Sequence, residues 1–168
     1  MNTEKFEVVI NYMSEDFTIC LDSSLCTDSD ILEALQELKK ESFEAEGIET
    51  DEKSEFNETF EIIDWLEIPK FLQDLETFAE FIEVFEGSSY EIEIFEAANY
   101  LDIPFSDIDE AYNGEFDSDE DFARNMADDL GCIDKNVSWP YTCIDWEQAA
   151  SELMYDYAEH NNHYFRNI

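Results

Sequence analysis

From Phe6 onward, apolar side chains alternate with polar or second-face ones: Phe6, Val8, Ile10 and Tyr12, then, past the polar turn Met13-Ser14-Glu15-Asp16, Phe17, Ile19 and Leu21. A period of two puts each set on one face of a sheet, and the polar interruption predicts a β-hairpin. The period then changes. Ile31, Leu32, Leu35 and Leu38 recur at steps of three and four behind an Asp28/Ser29 cap, which predicts a helix that Gly47 stops. A polar stretch from Glu49 to Asn57 leads to Phe60, Ile62 and Trp65, read as a third strand. Residues 1–66 are therefore expected to form an N-terminal α+β unit.

Pro69 suits the first turn of a helix. The stripe Leu72, Leu75, Phe78, Ile82 and Phe85 follows it, and Gly87 marks the end. A second helix is expected from Ser89 to Leu101, burying Ile92, Phe95 and Ala98, with a strand as the competing reading because Tyr90, Ile92 and Ile94 favour one. Ser106 caps a short helix ending at Gly114. Residues 67–108 read as a helical middle unit.

In the remainder, 109–168, Ser118 and Asp121 resemble a capping pair ahead of Phe122, Met126 and Leu130, with Gly131 as the stop. Asp145 with Gln148 caps another helix, offering Trp146, Ala149, Ala150, Leu153 and Tyr157 for burial, and Tyr164 to Ile168 adds a terminal strand. The expected fold class is α+β, an elongated arrangement of two or three small units. These are an N-terminal hairpin plus helix, a helical middle, and C-terminal helices with a small antiparallel sheet.

Charge alters what this pattern means. The 168 residues carry 45 Asp and Glu against 8 Lys and Arg, a formal net charge of −37. Chains this acidic are often disordered. Here 44% hydrophobic residues, with 14 Phe, 8 Tyr and 3 Trp, and only 4 Gly and 3 Pro, predict a folded chain under electrostatic strain. Solubility needs a net charge of only roughly 2–8 in a small domain, so something outside the fold must favour this excess. Duplex DNA carries one charge per about 1.7 Å of axis, so the excess matches roughly 60 Å of duplex. A compact chain of this length would be about 40 Å across, and elongation would relieve repulsion and match the duplex spacing better.

The acids ignore helix-end preferences, which place acids in first turns and bases in last turns. From Phe71 to Ala123 there is no Lys or Arg and there are 17 Asp or Glu. Glu76, Glu80 and Glu83 stand at i, i+4 and i+7, a stripe beside the apolar one, where like charges cost a few tenths of a kcal/mol per pair. The candidate phosphate-mimicking carboxylates are Asp74, Glu76, Glu80, Glu83, Glu86, Glu91, Glu96, Asp107, Asp109, Glu110, Glu115, Asp117, Asp119, Glu120, Asp121, Asp128 and Asp129. For a single helix, a solvated acidic face would be the ordinary explanation. For a whole folded chain at −37 it is not enough.

Other chemistries find little footing. Asp117, Asp119, Asp121 and Asp128 occupy positions 1, 3, 5 and 12 of a calcium-loop template, but Phe122 stands where the sharp turn needs Gly and Asp128 where a bidentate Glu is usual. His160 and His163 flank an Asn-rich turn without zinc spacing to Cys132 or Cys143. No nucleophile elbow, phosphate loop or dinucleotide fingerprint occurs. The expectation is a non-enzyme with no cofactor and no metal. The sign of charge disfavours nucleic acid and anionic membrane alike. No basic–apolar–small pattern opens the chain and no apolar run approaches a membrane span. Cys20, Cys26, Cys132 and Cys143 lack a CxxC pair and are expected to be free buried thiols in a reducing cytoplasm.

In the C-terminal half, Ala111-Tyr112-Asn113-Gly114-Glu115-Phe116-Asp117-Ser118-Asp119-Glu120-Asp121-Phe122-Ala123 resembles the AYxGxYxSxEDFA segment of ArdA antirestriction proteins. Asp128-Asp129-Leu130-Gly131, then Tyr141 and Ile144-Asp145-Trp146-Glu147 with Ala150 and Leu153, are similar to that family's YIDYExxAxxL stretch, and Tyr164-Phe165-Arg166 to its closing strand. The resemblance covers about residues 90–168, with Phe60-Glu61-Ile62-Ile63-Asp64 as a further short piece, while the N-terminal hairpin lacks the family's Gly-rich opening. It implies an elongated, curved homodimer that mimics bent DNA and blocks type I restriction–modification enzymes in the cytoplasm of a bacterial host, encoded on a plasmid, transposon or phage. The matched acids are Glu115, Asp117, Asp119, Glu120, Asp121, Asp128, Asp129, Asp145 and Glu147, with Asp145 read first as a helix cap. The expected partner is thus a DNA-binding host defence protein, first a type I restriction–modification methyltransferase core and second a Cas effector blocked by a DNA-mimic anti-CRISPR protein. An acidic chaperone of a basic protein is the further alternative.

Overall fold

The computed structural model describes residues 5–45, 59–133, 138–139 and 143–168. The chain is α+β and divides into two compact units, Met1–Ser89 and Tyr90–Ile168, so that one of the two middle helices falls in each.

In the first unit, strands β1 (Phe6–Tyr12) and β2 (Glu15–Leu21) form the expected hairpin, with Tyr12 opposite Glu15. The turn is shorter than the four polar residues suggest. Met13 and Ser14 both adopt left-handed backbone, φ 51° and 66°, the two-residue geometry whose twist matches that of the flanking strands. Glu15 and Asp16 consequently belong to β2. Strand β3 (Glu61–Leu66) pairs antiparallel on the other side of β1, giving the order β2-β1-β3 with a bulge at Val9/Ile10. Phe6, Val8, Ile10 and Tyr12 are all buried, as their alternation requires.

Helix α1 (Asp28–Ala45) buries Ile31 and Leu35. Its cap is Thr27, not Asp28 or Ser29: the Asp30 amide donates to Thr27 Oγ1 at 3.3 Å, and the Thr27 hydroxyl donates back to the Asp30 carboxylate. Leu38, expected in the core, is 41% exposed, and the next residue, Lys39, is buried instead at 4%. Gly47 and the stretch from Glu49 to Asn57 lie outside the described residues. Pro69 does not open the next α-helix either. It precedes a three-residue 3-10 turn, Lys70–Leu72, after which the chain is extended at Asp74, and α2 (Leu75–Phe85) starts under the Asp74 cap. Phe78, Phe81 and Phe85 of α2 meet the Phe6 ring edge-on at 5.3, 5.6 and 5.9 Å, forming an aromatic core.

The second unit opens with α3 (Ile92–Tyr100), a helix rather than the competing strand, burying Phe95 and Ala98. A 3-10 turn at Phe105–Asp107 runs into α4 (Ile108–Ala111). This helix ends before Gly114, which lies inside strand β4 (Tyr112–Glu115) at φ 116°, where an added Cβ would come within 3.2 Å of the Phe116 ring. Helices α5 (Asp119–Asp129) and α6 (Trp146–Leu153) start as expected under Ser118 and Asp145, each side chain accepting from the amide three residues on. Leu130, expected on the inner face, follows α5 as its C-terminal cap and is 69% exposed. The terminal strand has a partner that the pattern did not reveal. Strands β5 (Tyr157–His160) and β6 (His163–Arg166) form a hairpin through Asn161 and Asn162, both left-handed, and β6 also pairs with β4. Phe122 stacks on Tyr164 at 4.6 Å in the core that α5 shares with this sheet.

Candidate functional site

The acidic surface is built on a few helix starts and helix faces. On α2, Asp74 is committed to its cap, accepting from the Thr77 amide at 2.8 Å. Glu76, Glu80 and Glu83 point outward because Phe78, Phe81, Ile82 and Phe85 take the inner face, and none of the three meets a hydrogen-bonding or ionic partner among the described residues. Glu86 is half-buried and accepts weakly from the Ser23 amide at 3.4 Å. Here acids from different elements converge. Burial first, then the charges of Asp30, Asp22, Glu86 and Glu83, push the Cys26 thiol above its ordinary pKa. Cys26 is buried as expected, whereas Cys20, Cys132 and Cys143 are exposed, because their positions fall on solvent-facing strand and loop sites.

In the second unit the predicted acids separate into three groups. Some carry local structure. Asp119 accepts from the buried Tyr164 hydroxyl at 2.7 Å, Asp107 from Ser106 Oγ at 3.0 Å, and a hydrogen bond between Asp109 and Tyr90 is the main cause of that phenol's raised pKa. Two are shared with a cation: Arg124 reaches Asp121 at 3.0 Å and Glu120 at 3.3 Å while lying 5.4 Å over the Trp146 ring. The rest face solvent. Glu91, Glu96, Glu110, Glu115, Asp117 and Asp129 have no hydrogen-bonding or ionic partner among the described residues, and Asp128 is also exposed. Glu91 precedes α3 without a side-chain cap bond.

Of the 17 predicted carboxylates, 14 are exposed, and Glu86, Asp107 and Glu120 are half-buried. The structure distributes them over both units. Glu93 and Asp102 were not among the predicted set, yet both are exposed within the same run without bases. Glu93 was legible, since it lies three residues before Glu96 on one helix face.

The remaining candidates take structural places. Phe122, at the calcium-template turn position, is a fully buried core residue, and Asp119 and Asp121 lie in the first turn of α5. His160 stacks on Tyr100, and His163 Nδ1 lies 3.1 Å from the Tyr112 hydroxyl. Among the described residues no three His, Cys, Asp or Glu are grouped so as to hold a metal ion, and no helix is long and apolar enough to cross a membrane.

Fold and surface together define an α+β chain in which helices α2, α3 and α5 bury aromatic side chains and present carboxylates to solvent. No protein family, curated protein or solved structure matches this chain.

Proposed function

We propose that this protein is a DNA-mimicking inhibitor that occupies the DNA-binding groove of a host defence enzyme in the bacterial cytoplasm, first of all a type I restriction–modification complex. One observation carries the reading. Between Phe71 and Ala123 there are 17 acids and no base, and 14 of the 17 are exposed, with none buried. Folding alone gives no reason for this. The caps and hydrogen bonds above use only some of these groups, and the others repel one another at a cost that alternating lysines would remove. A basic groove that holds phosphates supplies the missing counter-charge.

The ArdA-like segment supports the choice of target. Residues 111–123 run from the end of α4 through β4 to the first turn of α5, and they carry Glu115 and Asp117 on the surface.

The test is competition. The full chain should bind a purified type I methyltransferase core, and duplex DNA should displace it. Binding that duplex fails to displace would reject mimicry and favour an acidic chaperone. Absence of binding there, with duplex-sensitive binding to a Cas effector, would keep the physics and move the target.

A further inference from the structure

Tyr100 closes α3 and is 67% exposed, yet its ring is held in place: it lies on His160 of β5, with centroids 3.7 Å apart and planes 15° from parallel. One face of the phenol is thereby occupied, and the other is left to solvent. Glu93, Glu96 and Tyr100 stand at i, i+3 and i+7 on α3, all exposed, because Ile94, Phe95, Ala97 and Ala98 take the buried side. A stripe of carboxylates thus ends in a flat aromatic face whose orientation is already fixed, so little freedom remains to be lost on binding.

Phosphate imitation needs oxygens, not rings, so a preorganised aromatic face calls for a different contact. A planar cation over the ring, with N–H groups directed at a carboxylate one helical turn away, is the geometry a guanidinium matches. An ammonium matches it less well, being a compact, strongly hydrated point charge. A second copy of this chain suits the surface poorly, since it would set acids against acids and offers only Arg124 and Arg166. We propose that the Tyr100–His160 stack, together with Glu96, is an arginine-accepting anchor for the basic partner. This rests on the charge reading above and specifies the partner's chemistry.

The experiment uses the full chain at low salt with two probes, acetylated and amidated tetra-arginine and tetra-lysine peptides. It follows affinity by calorimetry and the Tyr100 ring resonances by NMR. The arginine peptide should shift the Tyr100 resonances and bind about two- to five-fold more tightly than the lysine peptide. Tyr100→Leu should erase that preference at unchanged lysine affinity, while Tyr100→Phe should keep it. Equal affinity for the two peptides, or a preference that survives Tyr100→Leu, overturns the anchor and leaves the charge reading intact. A chain that binds neither peptide defeats both. Self-association abolished by Tyr100→Leu would assign the surface to a second copy and equally overturn the anchor.

Discussion

The Tyr164 side chain is 2% exposed and donates to Asp119 across 2.7 Å, so ionising it would place a phenolate in the core beside a carboxylate. Burial first and this hydrogen bond second push its pKa well above the ordinary tyrosine value. Burial does the same for Tyr112, and the bond to Asp109 for Tyr90, and all three residues lie in the second unit. A folded-state pKa above the unfolded one means that the stabilisation is complete below the unfolded value, about 10. It is lost as the pH climbs from there through the raised folded value. We therefore expect the urea midpoint to hold up to about pH 10 and to fall as the pH rises beyond it. Tyr164→Phe should remove the largest part of that slope, and a pH-independent midpoint in the wild-type chain would contradict the assignment. Asp119 thus has a fold-holding role that its count as a surface acid conceals.

Helix α2 sets two uses of a carboxylate side by side. Asp74 receives the Thr77 amide and sits where the helix dipole favours a negative charge, whereas Glu80 faces Glu76 and Glu83 at i−4 and i+3 with no ion-pairing cation among the described residues to offset them. Their neutral variants should therefore move stability in opposite directions. Asp74→Ala should cost about 1 kcal/mol in urea unfolding. Glu80→Gln should gain a few tenths of a kcal/mol for each relieved pair while weakening capture by the basic enzyme. A loss of stability in Glu80→Gln would show that the stripe serves the fold after all. The same contrast explains what could be read from the chain beforehand. Ser118, Asp145 and the hairpin alternation act within a few residues, so their consequences are visible in sequence. Leu38 fits a step of three but is exposed, because the buried stripe of α1 runs at steps of four through Ile31, Leu35 and Lys39, and Leu130 is exposed because it lies past the end of α5 as its C-terminal cap. Pro69 and Gly114 misled in another way. Each is compatible with a helix boundary in isolation, but Asp74 is the stronger cap and β6 recruits Gly114 into a sheet. The acidic run from Phe71 to Ala123 was the most legible feature, since no base interrupts it. The Tyr100–His160 stack joins residues 60 positions apart and could not be read locally.

For the whole molecule, the decisive quantity is an imbalance that the fold barely offsets. Three ion-pair contacts occur among the described residues, Lys39 with Glu15 at 2.6 Å and Arg124 with Glu120 and Asp121, against a formal charge of −37. Repulsion among the remaining acids is screened by salt, since the screening length shrinks from about 30 Å at 0.01 M to about 10 Å at 0.1 M. Added salt should therefore stabilise the free chain, since it screens many repulsions and few attractions. The same salt should weaken capture by a basic groove by at least about tenfold between roughly 50 and 200 mM. Opposite salt slopes for stability and binding are what a charge held for a partner predicts. Thermal unfolding of the free chain and calorimetric titration into the enzyme, across one salt series, measure both. If salt lowered stability, internal ion pairs would outweigh repulsion and the acids would be explained by the fold itself. If binding were indifferent to salt, the groove would be held by something other than charge.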